Sequence, residues 1–153
     1  MLRLLISQRV NRDCHGLLTD VLESNLTRYF SSLGIVVCPV SNFLDDVELC
    51  LKDIQYNGLI LSGGGDVNPR FVDMKTNQSI NYSPERDQCE CNLISKMISL
   101  KMPILGVCYG MQQLNCYFGG RITRNIHDNE TLSRRPKLNH SINIEKKIFG
   151  LSG

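Results

Sequence analysis

At 153 residues, with 42% hydrophobic and 21% charged side chains, the chain is long enough for one buried core and too apolar for a disordered segment. Its net charge of +2 is too small to argue for nucleic acid or a membrane surface as partner, and no apolar run approaches the ~20 residues that span a bilayer. Seven cysteines, an odd number with several inside apolar runs, fit free thiols in a reducing cytoplasm, and Met1 to Ile6 is too short for a secretory signal.

Leu2 to Ser7 is apolar enough for a first buried strand. Ser7-Gln8-Arg9 then falls at its C-terminal end, where open α/β sheets place functional groups. Arg9 is open to two readings, a substrate contact and a solvated loop residue, and the second is favoured. Cys14-His15 looks like a metal-binding fragment, but no second pair has ligand spacing, so it is discounted. From Leu17, apolar residues recur at Leu18, Val21, Leu22, Leu26, Tyr29, Phe30 and Leu33, a helical stripe ended by Gly34. Ile35 to Cys38 is a second strand closed by Pro39. Asp45-Asp46 opens a shorter helix carrying Val47, Leu51 and Ile54, with acids at its positive end. Gly58 to Leu61 is a third strand. Strands that are continuous apolar runs, alternating with helices, predict a single α/β domain over 1–153 with a mostly parallel sheet covered on both faces.

Ser62-Gly63-Gly64-Gly65-Asp66-Val67-Asn68-Pro69 follows the third strand. Three consecutive glycines free the backbone to point N–H groups at a ligand. A phosphate loop would need the Lys-Ser/Thr of a Walker motif, which is absent. An oxyanion hole, pairing the Gly64 N–H with the Tyr109 N–H, is the better reading beside the elbow described next. Arg70 to Pro84 is polar and irregular. Glu85-Arg86-Asp87 starts a helix carrying Leu93, Ile94, Met97, Ile98 and Leu100, and Cys89 and Cys91 are thiols on it.

Pro103-Ile-Leu-Gly-Val-Cys108-Tyr-Gly110-Met-Gln112 is a short strand, a tight turn and a helix running to about Phe118, with Gly119-Gly120 as its stop. Cys108 between Gly106 and Gly110 has the pattern of a nucleophile elbow with Cys in place of Ser. The helix begins at the sulfur, where unpaired N–H groups and the positive dipole end favour the thiolate form. Beyond Gly120, Arg121 to Arg124 is a short strand, Asn125 to Lys137 a charged loop, and His140-Ser-Ile-Asn-Ile144 a half-exposed strand. His127 and His140 are solitary and read as surface or satisfied residues.

The glycine segment, Glu85-Arg86-Asp87 with Glu90, the cysteine elbow through Gln112-Gln-Leu-Asn, and Gly119-Gly120 together resemble class I glutamine amidotransferases. The nearest branch is gamma-glutamyl hydrolase-like, peptidase family C26. The resemblance implies a flavodoxin-like fold and a cysteine amidohydrolase acting on a small gamma-glutamyl amide without cofactor or metal. Cys108 would form a thioester, and Gly64 and Tyr109 would hold the oxyanion by their backbone N–H groups. Gln112, Gly63, Gly65 and Arg86 would bind substrate, Arg86 being the weakest carry-over because an Arg opening a helix is most often exposed. The family's general base is a His with an acid two residues on or nearby. Within the 45 residues after Cys108 there is no His-x-Glu, His-x-Asp or His-His-Gln. Three readings stay open: a fragment of a longer enzyme, which is favoured, a naturally shortened protein, or an acid–base pair from another chain. A synthase partner that takes ammonia, a homo-oligomer and a catalytically silent binding module also stay open.

Overall fold

Four parallel strands form the central sheet in a computed structural model that describes residues 1–73 and 81–123, all within one compact unit, Met1–Thr123. In chain order the elements are β1 (Arg3–Ser7), β2 (Arg9–Arg12), β3 (Leu18–Val21), α1 (Ser24–Ser32), β4 (Val36–Val40), α2 (Val47–Leu51) and β5 (Leu59–Leu61). After a short 3₁₀ turn at Pro69–Phe71 come β6 (Val72–Asp73), α3 (Pro84–Ser99), β7 (Ile104–Gly106), α4 (Tyr109–Tyr117) and β8 (Ile122–Thr123). The sheet order is β4-β1-β5-β7, so every C-terminal strand end lies on one edge.

Alternation along the strands sorts the core into two layers. Leu5, Leu59 and Leu61 pack with Leu93, Ile94 and Met97 of α3 and with Val47 and Leu51 of α2. Ile6 and Ile60, one residue out of phase, face Phe30 of α1, with Leu22 and Leu26 packed against them. Helices therefore cover both faces, as continuous apolar strands require. This is an α/β fold of mostly parallel strands, consistent with the flavodoxin-like class I glutaminase fold. No helix among the described residues is long and apolar enough to cross a membrane.

Two expectations need correction. The helical stripe from Leu17 is broken: Leu18–Val21 is a strand, antiparallel to β2, and the helix starts only at Ser24. Asp13 makes the hairpin turn, its carboxylate accepting from the backbone N–H groups of His15 and Leu17, and Gly16 takes the positive φ of 83° that closes it. The 3.6-residue spacing of Leu18 and Val21 is thus accidental, while Leu22, Leu26 and Phe30 are the true inward stripe. Pro39 does not close its strand either. It lies inside β4, opposite Ile6, where an edge strand can leave a missing N–H facing outward.

The second helix is shorter than expected, ending at Leu51 before the exposed Ile54, and β6 lies in the stretch expected to be irregular, while the other elements match within a residue or two. Ser83 caps α3 by accepting from the Arg86 N–H at 3.3 Å, with Pro84 at the first helical position and Glu85 and Asp87 in the first turn. The short strand at 121–124 is β8, paired with β6. Asn125 to Lys137, His127 and His140 to Ile144 lie outside the described residues.

Candidate active site

Cys108 sits between the end of β7 and the first residue of α4, at φ 52° and ψ −105°. A non-glycine residue there holds backbone strain on the order of 1–3 kcal/mol, which persists only where surrounding packing imposes it. The packing is visible at the flanking glycines. A Cβ on Gly106 would lie 2.6 Å from the Gly110 carbonyl and the Met111 N, and one on Gly110 would lie 2.6 Å from Leu61 Cβ. Strand, turn and helix are therefore in backbone contact, and the turn has no room to relax. The side chain it carries is exposed.

The triple-glycine loop is the neighbour the sequence predicts. The Val107 N–H donates to the Leu61 carbonyl at 2.9 Å, and a Cβ on Gly63 would stand 3.6 Å from Cys108 Cβ. Gly64 and Gly65 both have positive φ, 83° and 84°, which is the freedom the three glycines supply. Among the described residues, the N–H groups of Gly63, Gly64 and Gly65 and that of Tyr109 have no acceptor, whereas those of Gly110 and Met111 bond to Val107 and Cys108 carbonyls. Gln112 is half-buried one turn into α4.

Arg86 is not an exposed residue opening a helix: it is 2% exposed. Its Nη2 donates to the Ser62 carbonyl at 2.8 Å and to Ser62 Oγ at 3.1 Å. Its Nη1 donates to the carbonyls of Gly64 at 2.5 Å and Gly63 at 3.3 Å, and Nε to Glu90 Oε1 at 2.8 Å. The guanidinium also stacks on the Tyr109 ring, 3.9 Å from its centroid. These bonds occupy its donors with the protein itself. Glu90 is fully buried, and burial pushes its carboxyl up against the pull of the Arg86 guanidinium and the Ser7 hydroxyl. Breaking such a buried pair from one side costs on the order of 3–5 kcal/mol, since the other charge is left stranded.

Two further groups, Arg9 and Asp87, stand where sequence reasoning did not place them. Arg9 crosses over the glycine loop, and a Cβ on Gly64 would meet its Cδ at 2.8 Å. Its guanidinium also makes a 3.5 Å ion pair with Glu23. Asp87 ties the site's second layer together by accepting from Gln113 at 2.8 Å, from the Tyr82 hydroxyl at 3.0 Å and from Asn68 at 3.2 Å. The available signal was Glu85-Arg86-Asp87 with Glu90, a helical spacing that sets Arg86 above Glu90 on one face. A separate cavity of about 740 Å³, lined by Leu51, Tyr56, Lys96, Leu100 and Met102 among others, shares no residue with the Cys108 site. None of its lining residues is a cysteine, so the cysteine turn is the candidate site.

A parallel α/β sheet with a cysteine elbow beside a glycine loop is the arrangement that the resemblance to class I glutamine amidotransferases implies, and the comparisons with known proteins support that superfamily. The Peptidase C26 family model matches residues 8–149, and the chain is a member of that family. It is 39% identical over 100 residues to a glutamine amidotransferase-like protein, YvdE, of Lactococcus lactis, a match covering 63% of this chain and 41% of that protein. A glutamine amidotransferase-like protein of Rickettsia prowazekii is 36% identical over 74 residues, covering 47% and 26% respectively. A GMP synthase [glutamine-hydrolyzing] of Exiguobacterium sibiricum is 32% identical over 102 residues, covering 67% of this chain and 16% of that protein. The chain thus spans less than half the length of these relatives.

Proposed function

We propose that this protein is a cysteine amidohydrolase that cleaves a gamma-glutamyl amide, with Cys108 as its nucleophile. The observation that carries the reading is the exposed Cys108, held at positive φ beside a glycine loop whose N–H groups are free among the described residues. The sulfur bonds to the amide carbon while the carbonyl π pair moves onto oxygen, where the N–H groups of Gly64 and Tyr109 receive the charge. When the C=O re-forms, the C–N bond breaks and the amine leaves carrying the proton that the Cys108 thiol gave up on attack. Water then cleaves the thioester, releasing glutamate and restoring the thiol. Gln112 and the Gly63 and Gly65 backbone are the proposed glutamyl contacts. His15, the one histidine among the described residues, sits in the exposed hairpin turn, so it is not assigned as the base.

The full-length protein is expected to release glutamate from a gamma-glutamyl amide. Cys108→Ala should lower that rate by 10⁴-fold or more, on the order seen when one member of a catalytic unit is lost. A variant that retains the wild-type rate removes the enzyme reading. The GMP synthase similarity supports a second reading, in which the released ammonia passes to a synthase. Ammonia trapped by a co-purifying synthase rather than freed to solution would favour it.

A further inference from the structure

We infer that Arg86 is the positioning residue that builds the oxyanion hole, acting on both of its donors and touching no substrate. The inference rests on the amidohydrolase reading above. In a trans peptide the carbonyl and the following N–H point in opposite directions, and the described chain contains no cis peptide. Arg86 draws the carbonyls of Ser62, Gly63 and Gly64 toward α3 with Nη1 and Nη2. The N–H groups of Gly63, Gly64 and Gly65 must then face the other way, off the open side of the loop. Three consecutive carbonyls on one guanidinium fix all three peptide planes together, which glycines left alone would not hold.

The same guanidinium sits over the Tyr109 ring, its central carbon 3.9 Å from the centroid, and Tyr109 provides the second N–H of the hole from the first residue of α4. Both donors are thus referenced to one planar group, so the spacing between a loop and a helix from different strands becomes a property of Arg86. Glu90, itself fully buried, aims that group by taking its Nε. Lys cannot replace this arrangement. An ammonium has no fork to span three carbonyls and no plane to stack.

The test separates positioning from folding by comparing two reactions of the same sulfur. Acylation of the full-length protein by gamma-glutamyl p-nitroanilide passes through an oxyanion, whereas alkylation of Cys108 by iodoacetamide is a displacement that forms none. Arg86→Lys should lower kcat for nitroaniline release by on the order of 10²-fold, the loss typical of one missing oxyanion donor, with KM little changed. Arg86→Met should lower it further, and the alkylation rate should stay within about twofold of wild type if only the hole is disturbed. Glu90→Gln, which keeps an acceptor for Nε, is expected to show the same pattern at smaller size, and it carries the test if both Arg86 variants fail to fold. Wild-type acylation in Arg86→Lys, or in Glu90→Gln if the Arg86 variants do not fold, overturns the inference alone. Equal losses in acylation and alkylation also overturn it, because the sulfur itself would then have been displaced. Wild-type protein that alkylates at Cys108 but never acylates would overturn the amidohydrolase reading, and this inference with it.

Discussion

Adding one methyl group at Gly110 tests the backbone contact that presents the nucleophile. In Gly110→Ala the new Cβ would stand 2.6 Å from Leu61 Cβ and 2.7 Å from the Leu61 carbonyl carbon. Leu61 is fully buried in β5, between β1 and β7, so it cannot swing aside. The nearest atom of all is the Leu61 carbonyl oxygen, and reaching ordinary contact with it moves α4 outward by about 1 Å. Alanine gains about 1 kcal/mol of helix propensity, and overpacking a rigid core costs about 3 kcal/mol at the upper end, leaving a net loss near 2 kcal/mol. For a chain of this size that corresponds to a fall of roughly 4–8 °C in Tm. The Tyr109 N–H and the sulfur ride on the displaced helix, and a misplacement approaching 1 Å costs on the order of 10²-fold in rate. Thermal melting and kcat/KM for glutamate release measure the two effects. Gly119→Ala is the control: its φ of 87° brings a strain of about 1 kcal/mol, but nothing lies within 4 Å of the added atom, so activity should persist. A Gly110→Ala protein that melts and turns over like wild type would refute the reasoning.

Thiol labelling gives an independent check on burial. Native protein treated with iodoacetamide should take label at exposed Cys108, while Cys89 and Cys91, pushed by burial to about 12 and about 11, and Cys116, also raised by burial, react only after denaturation. Peptide mass spectrometry that finds Cys89 labelled as fast as Cys108 would contradict the packing described. Burial and the hydrogen bond to Asp87 push the Tyr82 phenol up to about 12. The difference between ultraviolet titrations of wild type and Tyr82→Phe should have its midpoint there, and one near 10 would count against the Asp87 cluster. Because the folded-state value is raised, the stability this tyrosine contributes is fully present below pH 10 and is lost as pH climbs toward 12.

Strong local rules made most of the fold legible. The runs at Leu2 to Ser7 and Gly58 to Leu61 are apolar because helices bury both faces of the sheet there, and each proved to be a strand, as did the run at Ile104 to Val107, although Leu105 in it is half exposed. The Gly-Val-Cys-Tyr-Gly turn and the glycine triplet were readable because only close backbone approach and positive φ demand such residues. What misled was competition between periods. Leu18 and Val21 satisfy a helical spacing, but Asp13 and Gly16 close a hairpin before them, and turn chemistry prevailed. Arg86 was misjudged for a different reason. A lone helix-opening arginine is usually solvated, and its burial depends on carbonyls 22 to 24 residues earlier that no local pattern reveals. Arg9 is the same kind of case, since its place across Gly64 is set by the hairpin.

The dihedral angles at Cys108 put the protein's durability and its chemistry in opposition at one point. Glycine there would rest easily at the same angles, so the most comfortable occupant of the turn is one with no sulfur at all. Selection for ruggedness alone would erase the residue that gives the turn its purpose. A stabilised form of this chain is better sought in the hairpin or along the outer face of α1, leaving the tension at the elbow intact.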